Sequence, residues 1–132
     1  YQFNNWFRFD VTGELRGKYF LVLATLHSGD FVVRLLTSRQ HGRPKEPACF
    51  HGDPYPSFFL GIPGRPLMKE TWLDLRAMDD FDGADVAKES ASGICHFVLT
   101  LDASLFRRAA ECAASANDTT RLQERAIRDG LS

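Results

Sequence analysis

Residues 18–37 read KYFLVLATL, then HSGD, then FVVRLLT. Both apolar runs are rich in the β-branched and aromatic residues that suit strands. The four residues between them carry the Gly29 and Asp30 of a turn, so the pair predicts an antiparallel hairpin. Hairpin geometry places the start of the first strand beside the end of the second, which brings Lys18 near Thr37. Upstream, Trp6, Phe7 and Phe9 flank Arg8 in a shorter predicted strand. Residues 11–17 (VTGELRG), bracketed by glycines, read as a loop.

Downstream, residues 39–57 hold four of the six prolines and two glycines, which excludes a long helix or a central strand and leaves a loop with room for one short edge strand. Residues 58–62 (FFLGI) and 71–76 (TWLDLR) are predicted strands joined by PGRPLMKE, with Pro63-Gly64 as the tight turn. In the second of these, Trp72, Asp74 and Arg76 alternate with Leu73 and Leu75, which predicts one buried face. Residues 94–101 (ICHFVLTL) make a last strand.

The tail changes period. Asp102 caps a predicted helix whose apolar positions Leu105, Phe106, Ala109, Ala110, Cys112, Ala113 and Ala116 follow helical spacing. A second helix starts at 117–119, carries Leu122, Ala126 and Ile127 on one side, pairs Glu124 with Arg128, and stops at Gly130. The expected fold is mainly β with C-terminal helices: a small antiparallel barrel or strongly curled sheet of about six strands, closed by one or two helices. One domain is expected over 1–132, with strands in 1–101 and the helical segment in 102–132.

Composition narrows the function. Sixteen Lys plus Arg against seventeen Asp plus Glu give a net charge of -1, so no whole-protein field attracts nucleic acid or membrane, and any charged site must be local. No apolar run approaches the roughly 18–20 residues of a membrane helix, since Lys18, His27, Asp30 and Arg34 interrupt the most hydrophobic region. No basic-then-apolar leader is read ahead of the first strand, and Cys49, Cys95 and Cys112 are odd in number, widely spaced and without a CxxC. The expectation is a soluble protein of the reducing cytosol with no disulfide framework.

The densest local charge is Arg34, Arg39, His41, Arg43 and Lys45, with Arg16 and Lys18 entering the preceding strand. If both loops lie at one end of the sheet, they form a basic cleft able to contact phosphates. Thr37-Ser38-Arg39 offers two hydroxyls and a guanidinium for one phosphate group. The same residues also suit an ordinary solvated loop. Tyr19 and Tyr55 sit near these loops and can stack on a base. Cys49 and His51 with Cys95 and His96 can be written as a two-Cys, two-His zinc set, but the spacing fits no common module, and Cys95 and His96 would face opposite sides of a strand. No metal is therefore expected. Asp79, Asp80, Asp82, Asp85 and Glu89 lack EF-hand spacing and read as a solvated acidic loop.

The order of segments resembles the PemK/MazF family of toxin ribonucleases. The likeness rests on Trp6-Phe7-Arg8-Phe9-Asp10, the Gly13 to Gly17 loop, the strand from Lys18 to Leu23, the strand from Val32 into Thr37-Ser38, residues 67–78 (LMKETWLDLRAM), and Leu101-Asp102 opening the closing helix. It spans residues 5–115. The resemblance implies an SH3-like barrel, a homodimer, cleavage of single-stranded RNA through a 2',3'-cyclic phosphate without metal or cofactor, and neutralisation by a small antitoxin protein.

The family's Thr falls on Thr37, whereas its Arg-Pro pair is replaced by Tyr19 and Phe20. Under this reading Thr37, Arg16, Arg39 and His41 are the catalytic candidates, and Lys18, Tyr19, Ser38, Arg43 and Lys45 bind substrate. The alternative expectation is a noncatalytic barrel that holds nucleic acid or a protein partner as a regulator of the toxin-antitoxin type.

Overall fold

The computed structural model describes residues 11–15, 18–27, 31–65, 67–77 and 96–131. Seven strands form one antiparallel sheet among them: β1 (Val11–Leu15), β2 (Lys18–Thr25), β3 (Phe31–Thr37), β4 (Cys49–Phe50), β5 (Ser57–Gly61), β6 (Thr71–Asp74) and β7 (His96–Thr100). Two helices follow, α1 (Ala103–Ala114) and α2 (Arg121–Leu131). The sheet order is β4-β5-β6-β3-β2-β1-β7, so β4 and β7 lie at its two ends. The described residues are thus mainly β, with their two helices at the C-terminal end, as the sequence predicts.

The hairpin at the centre has the expected register, with Tyr19 opposite Leu36 and Leu21 opposite Arg34. Three expectations need correction. Residues 11–15 are a strand and not a loop, pairing with β2 on one side and β7 on the other. Gly13 explains the misreading, because glycine is depleted in strand interiors; here it pairs with Phe20 on one side and Phe97 on the other, beside a register shift whose extra residue, Val98, lies on β7. With β1 and the short edge strand β4, the described sheet has seven strands in place of about six. The predicted strand around Trp6 to Phe9, the turn residues 28–30, Arg16, Cys95 and the acidic segment from Asp79 to Glu89 lie outside the described residues.

The second correction concerns β6. Trp72, Leu73, Asp74 and Leu75 are all buried, so the strand is covered on both faces and not on one. A central strand with neighbours β3 and β5 and material on either side loses the apolar-polar alternation that would mark a solvated face. Leu73 and Leu75 point, with Leu21, Leu36 and Phe58, into the core shared with the helices. Trp72 lies in register with Thr37 on the other face and donates from Nε1 to the Pro44 carbonyl at 3.0 Å, which ties the proline-rich loop to the sheet.

The helices follow their caps. Asp102 accepts from Leu105 N–H at 3.1 Å and opens α1, whose buried face is Phe106, Ala109, Ala110, Cys112 and Ala113. Thr120 and Gln123 form a reciprocal capping box at the start of α2, with Gln123 N–H donating to Thr120 Oγ1 at 3.1 Å and Thr120 N–H donating to Gln123 Oε1 at 3.0 Å. The same Gln123 Oε1 accepts from Arg34 Nη2 at 3.3 Å, so the cap also anchors α2 to β3. Burial pushes the Arg34 guanidinium pKa down, opposed by the charges of Asp118 and Asp74.

The third correction is to α2. It continues through Gly130 to Leu131, and Leu122 is 59% exposed, so Ile127 at 1% exposure is the side chain that seats the helix. The Glu124–Arg128 pair forms as predicted at 2.8 Å. Truncation of Ile127 to Ala should lower the unfolding free energy by about 2–5 kcal/mol in denaturant titration, whereas Leu122→Ala should change it by less than about 0.5 kcal/mol. Equal effects would contradict this seating of α2.

Candidate functional site

At the end of β3 the chain turns sharply and the turn is built from its own side chains. Thr37 Oγ1 accepts from Arg39 N–H at 3.1 Å. Arg43 N–H then donates to the Gln40 carbonyl at 2.7 Å, closing a four-residue turn. Its two central residues, His41 (φ 46°) and Gly42 (φ 80°), are both left-handed, the pattern of a type I' turn. Glycine adopts this conformation freely, while histidine pays for its Cβ, and the turn holds the exposed His41 ring out at the rim.

Arg43 returns from this turn into the protein and is almost fully buried. Its Nη1 donates to the Arg39 carbonyl at 2.7 Å, and its guanidinium lies 4.7 Å from the centre of the Tyr55 ring. Asp74, 6% exposed, receives it: Asp74 Oδ2 is 3.8 Å from Arg43 Nη2. The same carboxylate takes Arg76 in a two-pronged contact, Nη2 to Oδ2 at 2.7 Å and Nε to Oδ1 at 3.1 Å, and also accepts from Arg76 N–H at 2.9 Å. Arg76 lies over Tyr55 as well, at 4.9 Å, and the His41 ring is 5.9 Å from it.

Burial pushes the Arg43 guanidinium pKa down, and Asp74 opposes that shift; the hydrogen bond to Asp74 pushes Arg76 up. Arg43 Nε is buried without a hydrogen-bond partner among the described residues, so this guanidinium is not fully satisfied by the loop it holds.

These groups enclose a cleft of about 720 Å³. Six of the nine residues expected at a site line it: Tyr19, Thr37, Ser38, Arg39, His41 and Arg43. The other three do not join them among the described side chains. Lys45 is turned to Glu70 at 2.8 Å, Lys18 begins β2 with its side chain outside the description, and Arg16 is not among the described residues. Arg43 is present in a different role from the expected one, since its donors are directed at loop carbonyls, Asp74 and Tyr55 and not at open space.

Sequence reasoning missed Asp74, Arg76 and Lys69, which also line the cleft, although Asp74 left a signal as a carboxylate inside an apolar strand. Among the described residues the cleft therefore carries four permanent cations, Arg39, Arg43, Lys69 and Arg76, against one carboxylate, Asp74, in a chain whose net charge is -1. Such a local excess of positive charge with two tyrosines fits an anionic ligand that also has planar faces. His41 adds an imidazole, whose two ring nitrogens can donate or accept a hydrogen bond.

A candidate zinc set is also regrouped. Cys49 and His51 are brought together with Cys112 of α1, not with the strand bearing His96. Cys49 and Cys112 are joined as a disulfide, with Cα atoms 5.7 Å apart, which corrects the expectation of unpaired thiols. The two residues are 63 positions apart and share no local motif, so only the docking of α1 on the sheet edge reveals the pair.

Replacing Asp74 by Ala should lower the unfolding free energy by about 3–5 kcal/mol, because it leaves Arg43 buried without its carboxylate. Lys45→Ala, which cuts an exposed pair, should cost under about 1 kcal/mol. Similar losses in the two variants would show that Asp74 does not organise the loop.

In comparisons with known proteins, no family model, no curated protein and no solved structure matches the chain.

Proposed function

We propose that the cleft binds single-stranded RNA and cleaves it without a metal, through a 2',3'-cyclic phosphate. The observation that carries this reading is the joint lining of one cleft by Thr37, Ser38, Arg39 and His41, with an excess of cations and two tyrosines around them. Phosphate charge attracts Arg39 and Lys69, both exposed and without an ion pair among the described residues. Base faces suit Tyr19 and Tyr55.

The chemistry asks little of the protein. The RNA 2'-oxygen attacks the adjacent phosphorus while the bond from phosphorus to the 5'-oxygen breaks. One proton leaves the 2'-oxygen and one reaches the 5'-oxygen, so a single side chain that takes and returns a proton suffices. His41 holds that role here. Thr37 Oγ1 already accepts from Arg39 N–H, which leaves its own O–H to donate to a phosphate oxygen, and Arg39 offsets the growing charge.

The resemblance to PemK/MazF toxins adds expectations of the same standing: an SH3-like barrel closed from this sheet, a homodimer, a small antitoxin seated on the cleft, and a cytoplasmic location. Arg16, Lys18 and Lys45 belong to this reading as further contacts along a longer strand of RNA. Two observations favour a second reading, in which the cleft binds nucleic acid or a protein partner without catalysis. Tyr19 stands where the family has its Arg, and two of the four cations are already engaged with Asp74.

Incubation with mixed-sequence single-stranded RNA in EDTA, followed by end-group analysis, separates the two. Cleavage predicts 2',3'-cyclic phosphate and 5'-hydroxyl ends, with turnover reduced about 10²-fold or more in His41→Ala and Thr37→Ala and affinity largely kept. Intact RNA retained in a salt-dependent manner establishes the binding reading instead. Unchanged turnover in both variants removes them from the site.

A further inference from the structure

The Cys49–Cys112 disulfide has a neighbour that a purely structural crosslink does not need. His51 Nε2 lies 3.5 Å from Cys49 Sγ and 3.5 Å from Cys112 Sγ, and all three potential ligand atoms fall within 4.8 Å of one another. Cys49 and His51 are exposed, and the group opens on a cavity of about 450 Å³ that also holds Arg108 and Glu111. It lies on β4, the loop after it and α1, apart from the residues that line the basic cleft.

We propose that, once reduced, Cys49, His51 and Cys112 form a three-ligand site for a thiolate-preferring divalent cation, with Zn²⁺ as the natural occupant. A tetrahedral ion with Zn–S of about 2.3 Å and Zn–N of about 2.0–2.1 Å holds its sulfur and nitrogen ligands about 3.5 Å apart. Both sulfur-to-nitrogen distances already have that value. The two sulfurs must separate to about 3.8 Å as their bond breaks, and the His51 ring must release the Cys112 carbonyl so that Nε2 faces the ion.

The steps balance. A dithiol reductant gives two electrons to the disulfide and is itself oxidised to a cyclic disulfide, leaving two Cys thiols. The cation then displaces both thiol protons as the thiolates bind. In the disulfide form His51 Nε2 is 3.0 Å from the Cys112 carbonyl, a contact in which the ring N–H donates. Metal binding requires the other tautomer, with the proton on Nδ1 and the Nε2 lone pair on the ion. Three protein ligands leave a fourth position for water. In a reducing compartment the dithiol is the resting form, so the site exchanges a metal for a disulfide as the redox state changes.

Titration of the full chain with Co²⁺, before and after reduction, tests this. The reduced protein should show one Co²⁺ per chain, with an intense thiolate-to-cobalt absorption that Zn²⁺ removes, and the oxidised protein should show none. Cys49→Ser should abolish the band. His51→Ala should weaken affinity by more than the ~10–100-fold that loss of an outer-shell partner costs. Cys95→Ser should leave it unchanged. Absence of the band in reduced protein that keeps its far-UV circular dichroism overturns the proposal. So does a band that survives Cys49→Ser or disappears with Cys95→Ser. Reduced protein that unfolds and is not restored by Zn²⁺ marks a crosslink of purely structural role, which equally overturns it.

Discussion

The cleft depends on one buried carboxylate. Asp74 sits on a central strand, where water cannot stabilise its charge, and it gathers two guanidiniums that come from opposite directions in the chain. Arg76 follows it by two residues, but Arg43 arrives from the far end of the turn after β3. Through Arg43 the carboxylate holds the carbonyls of Arg39 and Gln40, and so fixes the segment that carries Ser38, Arg39 and His41. Tyr55 completes the arrangement, with both guanidiniums over its ring.

This division of labour explains how a chain of net charge -1 presents a basic surface. The cations nearest Asp74 build the walls, whereas Arg39 and Lys69 have no carboxylate partner among the described residues and under the proposed function are the ones that meet the ligand. A cluster made only of free cations would repel itself and splay the loop into solvent. The left-handed His41 fits the same logic, since a conformation that costs free energy persists where the surroundings fix it.

Much of this was legible in the sequence, and the misses have physical causes. The central hairpin could be read because two apolar, strand-favouring runs stand four residues apart, and from it the start of β2 and the end of β3 follow as neighbours at one end of the sheet. The loop cations could be found because charge clusters are local. β1 was hidden by Gly13, a residue type depleted in strand interiors, which here stands paired beside an irregularity carried by β7. Asp74 was hidden because alternation along β6 implies a solvated face, and only the strand's central position in the sheet shows that both faces are covered. The partners of Asp74, like those of Cys49, are brought together by tertiary packing that leaves no mark in the spacing.

The claim at the centre of this account is that the end of β3 and the turn after it, as held by Asp74, are where RNA binds. The most direct test is a ¹H–¹⁵N correlation titration of the labelled protein with a short single-stranded oligoribonucleotide at low and at raised salt. The account predicts saturable shifts at the amides of Thr37, Arg39 and His41, weakened by salt, with α2 unmoved around Leu122. Absence of shifts, or shifts centred on α2 with the turn unaffected, would contradict it.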